Sequence, residues 1–344
     1  METDKLLIAF GTRPEYIKLV PIFNALHLRK IEFNILYVHQ HTELIFEETS
    51  FADNGFNIKI NDKAQDRNNI IISSILADFP DISPKALIVV GDTATAFGCS
   101  LAAFNKKIPI IHIEAGLRTY DIKSPFPEEF YRTAISKIAT YNFCPTESAK
   151  NNLIKENINP ETIYVVGNTS IDNISNIIPE TGNTILITLH RRESEHLREF
   201  YLKEIDKIAA LYKHYKFIYN RHPRHKYTNT QLNNIDCITP VSHQEFIPMI
   251  AKSRLIITDS GGIQEEASFF KKRIIVCRNT TERPEILNDF SILCESPSSF
   301  NEIFTKIESL NPVVNLPCPY GDGKTANKII KTLRALKEKG NTVI

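Results

Sequence analysis

Short β-branched apolar runs recur along this chain at intervals that leave room for a helix between them, and this alternation is the strongest constraint on its fold. The runs are LLIAF (6–10), FNILYVH (33–39), ALIVV (86–90), IPIIHI (108–113), TYNFC (140–144) and TIYVV (162–166). Segments with helical apolar spacing lie between them, among them 68–79, 93–105 and 127–139. Parallel strands need crossover helices, which cover both faces of the sheet, so each strand is apolar throughout. The pattern restarts after NTSIDNISNIIPETGN with TILITL (184–189), a helix near 197–213, FIYN (217–220), RLIITD (254–259) and RIIVC (273–277), and a helix near 324–338 closes it. The expected fold is α/β, with two doubly wound Rossmann-like domains facing a central cleft. They span residues 1–175 and 176–323, followed by a C-terminal helix and tail over 324–344. A chain of 344 residues is long enough to give each domain its own core.

Composition removes several function classes. The net charge of +1 gives no general footprint for nucleic acid. No run approaches the ~20 apolar residues of a membrane-spanning helix, and METDKLLIAF passes straight into a strand, so neither a membrane anchor nor a signal peptide is expected. The six cysteines (Cys99, Cys144, Cys237, Cys277, Cys294 and Cys318) form no CxxC pair. They read as core-filling thiols in a reducing, cytoplasmic compartment rather than as a zinc site or a disulfide framework. HExxH and paired-histidine spacings are missing, so no metal is expected. GxSxG, the dinucleotide fingerprint and the Walker lysine pattern are missing too.

Polar residues at the carboxyl ends of the strands are the candidates for chemistry, because ligands of open α/β sheets bind there. In GTRPE, at 11–15, a single glycine is followed by Arg13 where a phosphate loop would place more glycines. Asp92, in VVGDTATAF, reads either as a helix N-cap or as a functional carboxylate. Glu114, in HIEAGLRT, leaves a central strand, where a carboxylate is costly to bury without a partner. SPFPEEFYR opens a helix on Glu128 and Glu129, which complement its dipole or serve the site. LITLHRRES puts His190 beside two arginines, as acid, base or phosphate donor. TDSGGIQEE reads either as a glycine turn that lets backbone N–H groups meet a phosphate, or as a serine-capped helix with dipole-complementing glutamates. His222 in HPR and Arg283 in TTERPE add cationic donors.

Taken in order, GTRPEYIK, QH (40–41), GDT, HIEAGLRT, SPFPEE, GNTSID (167–172), HRRES, TDSGGIQEE, TTERPE and GDGKTANKI (321–329) resemble the non-hydrolysing UDP-N-acetylglucosamine 2-epimerase family over nearly the whole chain. The resemblance implies a GT-B-like fold and C2 epimerisation of UDP-GlcNAc to UDP-ManNAc, through elimination of UDP to a bound glycal and re-addition, supplying surface polysaccharide synthesis. It implies no redox cofactor, since elimination and addition are redox-neutral, and it implies a homodimer. Carried over, Asp92, Glu114 and Glu128 are the catalytic carboxylates of the first domain. Arg13 and His190 stabilise the departing UDP. Ser260, Gly261, Gly262, Glu266, Arg283 and His222 bind UDP. Gln40, His41, Glu43 and Arg67 match in part an activator site for a second UDP-GlcNAc. The glycines that the family carries after HRRE and after TTERPE are replaced here. A related UDP-acetamido sugar, a hydrolysing epimerase releasing ManNAc, and a GT-B glycosyltransferase are the alternative readings.

Overall fold

The computed structural model describes residues 2–3, 5–39, 55–60, 67–190, 195–221, 231–313 and 315–338. They form two compact units, one of residues 1–173 and 321–344 and the other of residues 174–320. In chain order, unit 1 contains β1 (Glu2–Thr3), β2 (Leu6–Phe10), α1 (Arg13–Leu28), β3 (Phe33–His39), β4 (Gly55–Lys59), α2 (Arg67–Asp78), β5 (Ser83–Pro84), β6 (Leu87–Val90), α3 (Ala94–Asn105), β7 (Ile110–Ile113), α4 (Glu128–Ile138), β8 (Tyr141–Cys144), α5 (Glu147–Lys155), β9 (Ile163–Val165) and α6 (Thr169–Asp172). Unit 2 contains β10 (Thr184–Thr188), α7 (Glu195–Leu211), β11 (Lys216–Asn220), β12 (Asp236–Ile238), α8 (His243–Lys252), β13 (Leu255–Thr258), α9 (Gly261–Phe269), β14 (Arg273–Val276), β15 (Ser291–Leu293) and α10 (Phe300–Glu308). The last helix, α11 (Thr325–Glu338), returns to unit 1.

The sheet of unit 1 has seven parallel strands in the order β4-β3-β2-β6-β7-β8-β9. Its central strands are buried on both faces, and successive residues feed two different cores. Leu6, Ile8 and Phe10 pack with the apolar faces of α1 and α11, while Leu7 and Ala9 pack with those of α2 and α3. Residues 87–90 divide the same way, which is why these segments read as unbroken apolar runs. The sheet of unit 2 has six parallel strands in the order β12-β11-β10-β13-β14-β15, with α7 and α10 packed on one face. Among the described residues, no helix is long and apolar enough to cross a membrane.

Strands β1, β4, β5, β12 and β15 are absent from the sequence expectation, and all five are edge strands, β1 and β5 pairing in a two-stranded sheet of their own. An edge strand buries less, so GFNIK alternates between exposed and covered positions and lacks the apolar run that marks a central strand. Helix α11 joins unit 1 rather than standing as a terminal segment of its own. Asp172 accepts from the first-turn amides of Thr325 (2.9 Å) and Ala326 (2.7 Å), and Ile329, Ile330 and Leu333 are fully buried in the α1-side core. Two of the sequence motifs, GNTSID and GDGKTANKI, meet at this junction.

Candidate functional site

In unit 1, the loops after β2, β6 and β7 carry the candidate residues at the ends of adjacent strands. The turn after β2 is filled by the chain itself. Glu15 is 4% exposed, and its Oε2 accepts from the amides of Gly11 (3.0 Å) and Thr12 (2.8 Å) and from Thr12 Oγ1 (2.7 Å). Its Oε1 accepts from Thr93 Oγ1 (2.5 Å). The N–H groups that would cradle a phosphate in a glycine-rich loop are thus taken by a carboxylate one turn further along the same helix. Burial raises the Glu15 pKa, against the lowering effect of these hydrogen bonds. Arg13, the first residue of α1, is exposed beside this turn.

Thr93, rather than Asp92, is the N-cap of α3: its side chain accepts from the Ala96 amide at 3.1 Å. The N-cap reading of Asp92 is therefore replaced. Asp92 is half-buried and forms an ion pair with Arg132 Nη2 of α4. Gly91, just before it, has φ +73°, and its carbonyl lies 2.8 Å from Nε2 of the fully buried His112. That contact assigns the proton to Nε2. Burial, the leading cause, lowers the His112 pKa to about 4.

Glu114 ends β7 with its backbone in the left-handed region at φ 65°, a conformation that costs a side-chain-bearing residue about 1–3 kcal/mol. It is 8% exposed, and Lys18 Nζ (2.5 Å) and Asn168 Nδ2 (3.1 Å) hold its two carboxylate oxygens. A Cβ at residue 91 would lie 3.2 Å from Glu114 Oε2, so glycine there leaves room for the carboxylate. Before α4, the Ser124–Pro125 and Phe126–Pro127 peptide bonds are cis. The two glutamates that follow differ in their surroundings. Glu129 is buried and accepts from the amides of Thr119 and Tyr120, whereas Glu128 is half-buried at the first position of α4.

In unit 2, His190 follows β10. Its amide donates to both oxygens of Asp259 (3.1 and 2.9 Å), and its Nδ1 lies 3.3 Å from Thr188 Oγ1 and 3.6 Å from Asp259 Oδ1. Ser260 occupies the N-cap of α9 but makes no side-chain capping bond. The two glycines after it differ. A Cβ on Gly261 would meet Arg283 Nη1 at 2.3 Å, whereas one on Gly262 would meet nothing within 4 Å. Among the described residues no neighbour requires a glycine at 262, which suits close backbone approach by a ligand. Arg283 is buried between Glu265 (2.6 Å) and Glu282 (2.5 Å), and Glu282 also binds Arg278 (2.8 Å). With Thr281 donating to Gln264 at 3.0 Å, TTERPE and IQEE lock together behind the glycine turn.

Gln40, His41, Glu43 and His222 lie outside the described residues, and Arg67 is exposed at the start of α2. The structure adds Lys18, Arg132, Asn168 and Asp259 as direct partners of candidate residues. All four stand inside motifs quoted above, but nothing in their spacing marks them as partners.

Comparison with known proteins gives this geometry its context. The model of the UDP-N-acetylglucosamine 2-epimerase family matches residues 24–334. The UDP-N-acetylglucosamine 2-epimerase of Neisseria meningitidis is 36% identical, covering 96% of this chain and 99% of its own. That of Bacillus subtilis is 33% identical, covering 97% and 96%. Among solved structures, the Neisseria meningitidis enzyme bound to UDP-GlcNAc matches with a TM-score of 0.82 at 34% identity, over 96% of this chain and 100% of that one. The Methanocaldococcus jannaschii enzyme in complex with UDP-GlcNAc and UDP matches with a TM-score of 0.80 at 32% identity, over 96% and 99%. The glycosyltransferase of kitacinnamycin, at 9% identity and a TM-score of 0.57, shares the fold alone over all of both chains. The fold is GT-B-like.

Proposed function

Since the chain belongs to the UDP-N-acetylglucosamine 2-epimerase family, and is an enzyme acting on that nucleotide sugar, we propose that it interconverts UDP-GlcNAc and UDP-ManNAc by eliminating and re-adding UDP. One observation carries the mechanism. Asp92 and Glu114 stand at the ends of adjacent strands, and each is held by its own cation, Arg132 and Lys18 respectively. A carboxylate that has to take a weakly acidic C–H proton needs such fixed placement, because general base catalysis depends on geometry first.

In the proposed reaction, a carboxylate among Asp92, Glu114 and Glu128 takes the C2 proton. The C2–H electrons form the C1–C2 double bond, and the C1–O bond breaks with its electrons leaving on UDP. Re-addition of UDP at C1, with proton delivery to the opposite face of C2, gives the epimer. The balance is redox-neutral, so no redox cofactor enters. Negative charge builds on the diphosphate as it leaves, and preorganised donors are most effective against developing charge. Arg13 and His190 take that role, with Asp259 and Thr188 holding the Nδ1 side of the His190 ring. Ser260, Gly261, Gly262 and Glu266 hold UDP, Arg283 braces the turn from behind Gly261, and His222 adds a donor. A second UDP-GlcNAc bound through Gln40, His41, Glu43 and Arg67 acts as activator. We assign the enzyme to the cytoplasm, as a homodimer that supplies surface polysaccharide synthesis.

The test is incubation with excess UDP-GlcNAc in D2O, followed by NMR. The expected result is deuterium at C2 and appearance of UDP-ManNAc. Free ManNAc with UDP would move the chain to the hydrolysing reaction, and no exchange in the presence of excess substrate would refute the proposal.

A further inference from the structure

Two adjacent glutamates on α9 have divided their work. Glu265 is fully buried and bound to Arg283. Glu266, one residue on, is 6% exposed, and its Oε1 lies 2.8 Å from Nε2 of His243. A carboxylate only accepts, so the imidazole nitrogen carries the proton of that bond. Among the described residues, no other side chain donates to the Glu266 carboxylate.

His243 is fixed by its own segment. It is the first residue of α8, directly after Ser242, whose amide and hydroxyl both donate to Glu245 Oε2 (2.9 and 2.7 Å) while its Oγ accepts from the Glu245 amide (3.3 Å). This reciprocal capping box sets the backbone of the first turn. The His243 ring, about a third exposed, is thereby held against α9 at the Glu266 side chain. The two residues are 23 apart in the chain, and no sequence motif joins them.

We infer that His243 is a positioning residue for nucleotide binding: by holding Oε1, it fixes the plane of the Glu266 carboxylate and leaves Oε2 to accept from the ribose hydroxyls. This rests on the reading of Glu266 as the ribose ligand. A glutamate side chain that is free to rotate must be ordered when the ligand binds, and ordering it beforehand removes that cost from the affinity. His243 acts through Glu266 and touches none of the reacting atoms.

The experiment measures UDP and 2′-deoxy-UDP affinity by calorimetry on the full chain carrying His243→Leu, His243→Gln, Glu266→Gln, or His243→Leu with Glu266→Gln. Glu266→Gln is expected to weaken UDP about 10–100-fold and to erase the preference for UDP over 2′-deoxy-UDP. His243→Leu is expected to weaken UDP about 3–10-fold and 2′-deoxy-UDP less, and to raise KM more than it lowers kcat. His243→Gln, whose amide still donates, restores most of the affinity. On the Glu266→Gln background, His243→Leu adds less than about twofold, since the pair acts as one unit. If His243→Leu leaves UDP binding unchanged while Glu266→Gln weakens it, the positioning inference fails and the ribose reading stands. Equal, additive losses from His243→Leu on both backgrounds also refute it. No loss from Glu266→Gln overturns the ribose reading itself.

Discussion

Replacing Glu15 by alanine should cost unit 1 about 3–7 kcal/mol, whereas Glu15→Gln should cost no more than about 1 kcal/mol. The estimate follows from the turn after β2. Alanine removes the acceptor of two backbone N–H groups, Gly11 and Thr12, and of two hydroxyls, Thr12 and Thr93. Each buried amide left unpaired costs about 1–3 kcal/mol, and the lost capping box adds about 1 kcal/mol. Glutamine keeps an oxygen for the amides, and its NH2 meets Thr93 Oγ1, a hydroxyl that can turn and accept. Glutamine also removes a buried charge. Because burial raises the folded-state pKa of Glu15 above 4.5, the unfolded chain releases this proton first as pH rises. The Glu15 contribution to stability is thus full below pH 4.5 and is lost as pH rises through the raised folded value, and Glu15→Gln should abolish that loss. A chain of two units does not melt in one step, so a single global transition is the wrong readout. Hydrogen exchange of the peptide over residues 6–16 reads the effect locally. The reasoning is refuted if Glu15→Ala leaves the Gly11 and Thr12 amides protected and shifts stability by less than about 1 kcal/mol.

Three further outcomes are expected. His112 is neutral in the fold, with a pKa lowered to about 4 from 6.5. Its share of stability, on the order of 3 kcal/mol, is present above pH 6.5 and lost as pH falls toward 4, and His112→Asn should flatten acid unfolding in that window. Gly262→Ala should keep the melting profile, since the added Cβ meets no atom of the described residues within 4 Å, yet weaken UDP at least about tenfold by calorimetry because the backbone can no longer approach the diphosphate. Asp92→Asn, Glu114→Gln and Glu128→Gln should each lower kcat by about 100-fold or more while UDP affinity stays within about threefold, and losses of UDP affinity as large as those in kcat would place these carboxylates in nucleotide binding instead.

The sequence shows the central strands plainly because a strand covered on both faces has no polar position to spare, and Leu6–Phe10 and Leu87–Val90 are buried throughout. The edge strands β4, β12 and β15 lack that signal, since one side of each makes no ladder. The candidate carboxylates and the glycine turn could be named from their position after strands. Their partners could not, because Lys18 meets Glu114 across 96 residues and Arg132 meets Asp92 across 40, distances that only the sheet closes. Local grammar misled at Asp92, where Thr93, one residue on, has an equally suitable capping side chain and takes the cap.

The return of α11 to unit 1 has a consequence for synthesis on the ribosome. Unit 2 is one continuous stretch, residues 174–320, whereas unit 1 lacks the helix that covers Leu19, Ile22 and Phe23 until residues 325–338 emerge. At about 5–20 residues per second, translation of unit 2 keeps that apolar face waiting for roughly 7–30 s. The nascent first unit therefore exposes that apolar face during the interval. A stop codon before residue 325 would leave that face uncovered, and the expected outcome is aggregation rather than a partial loss of activity.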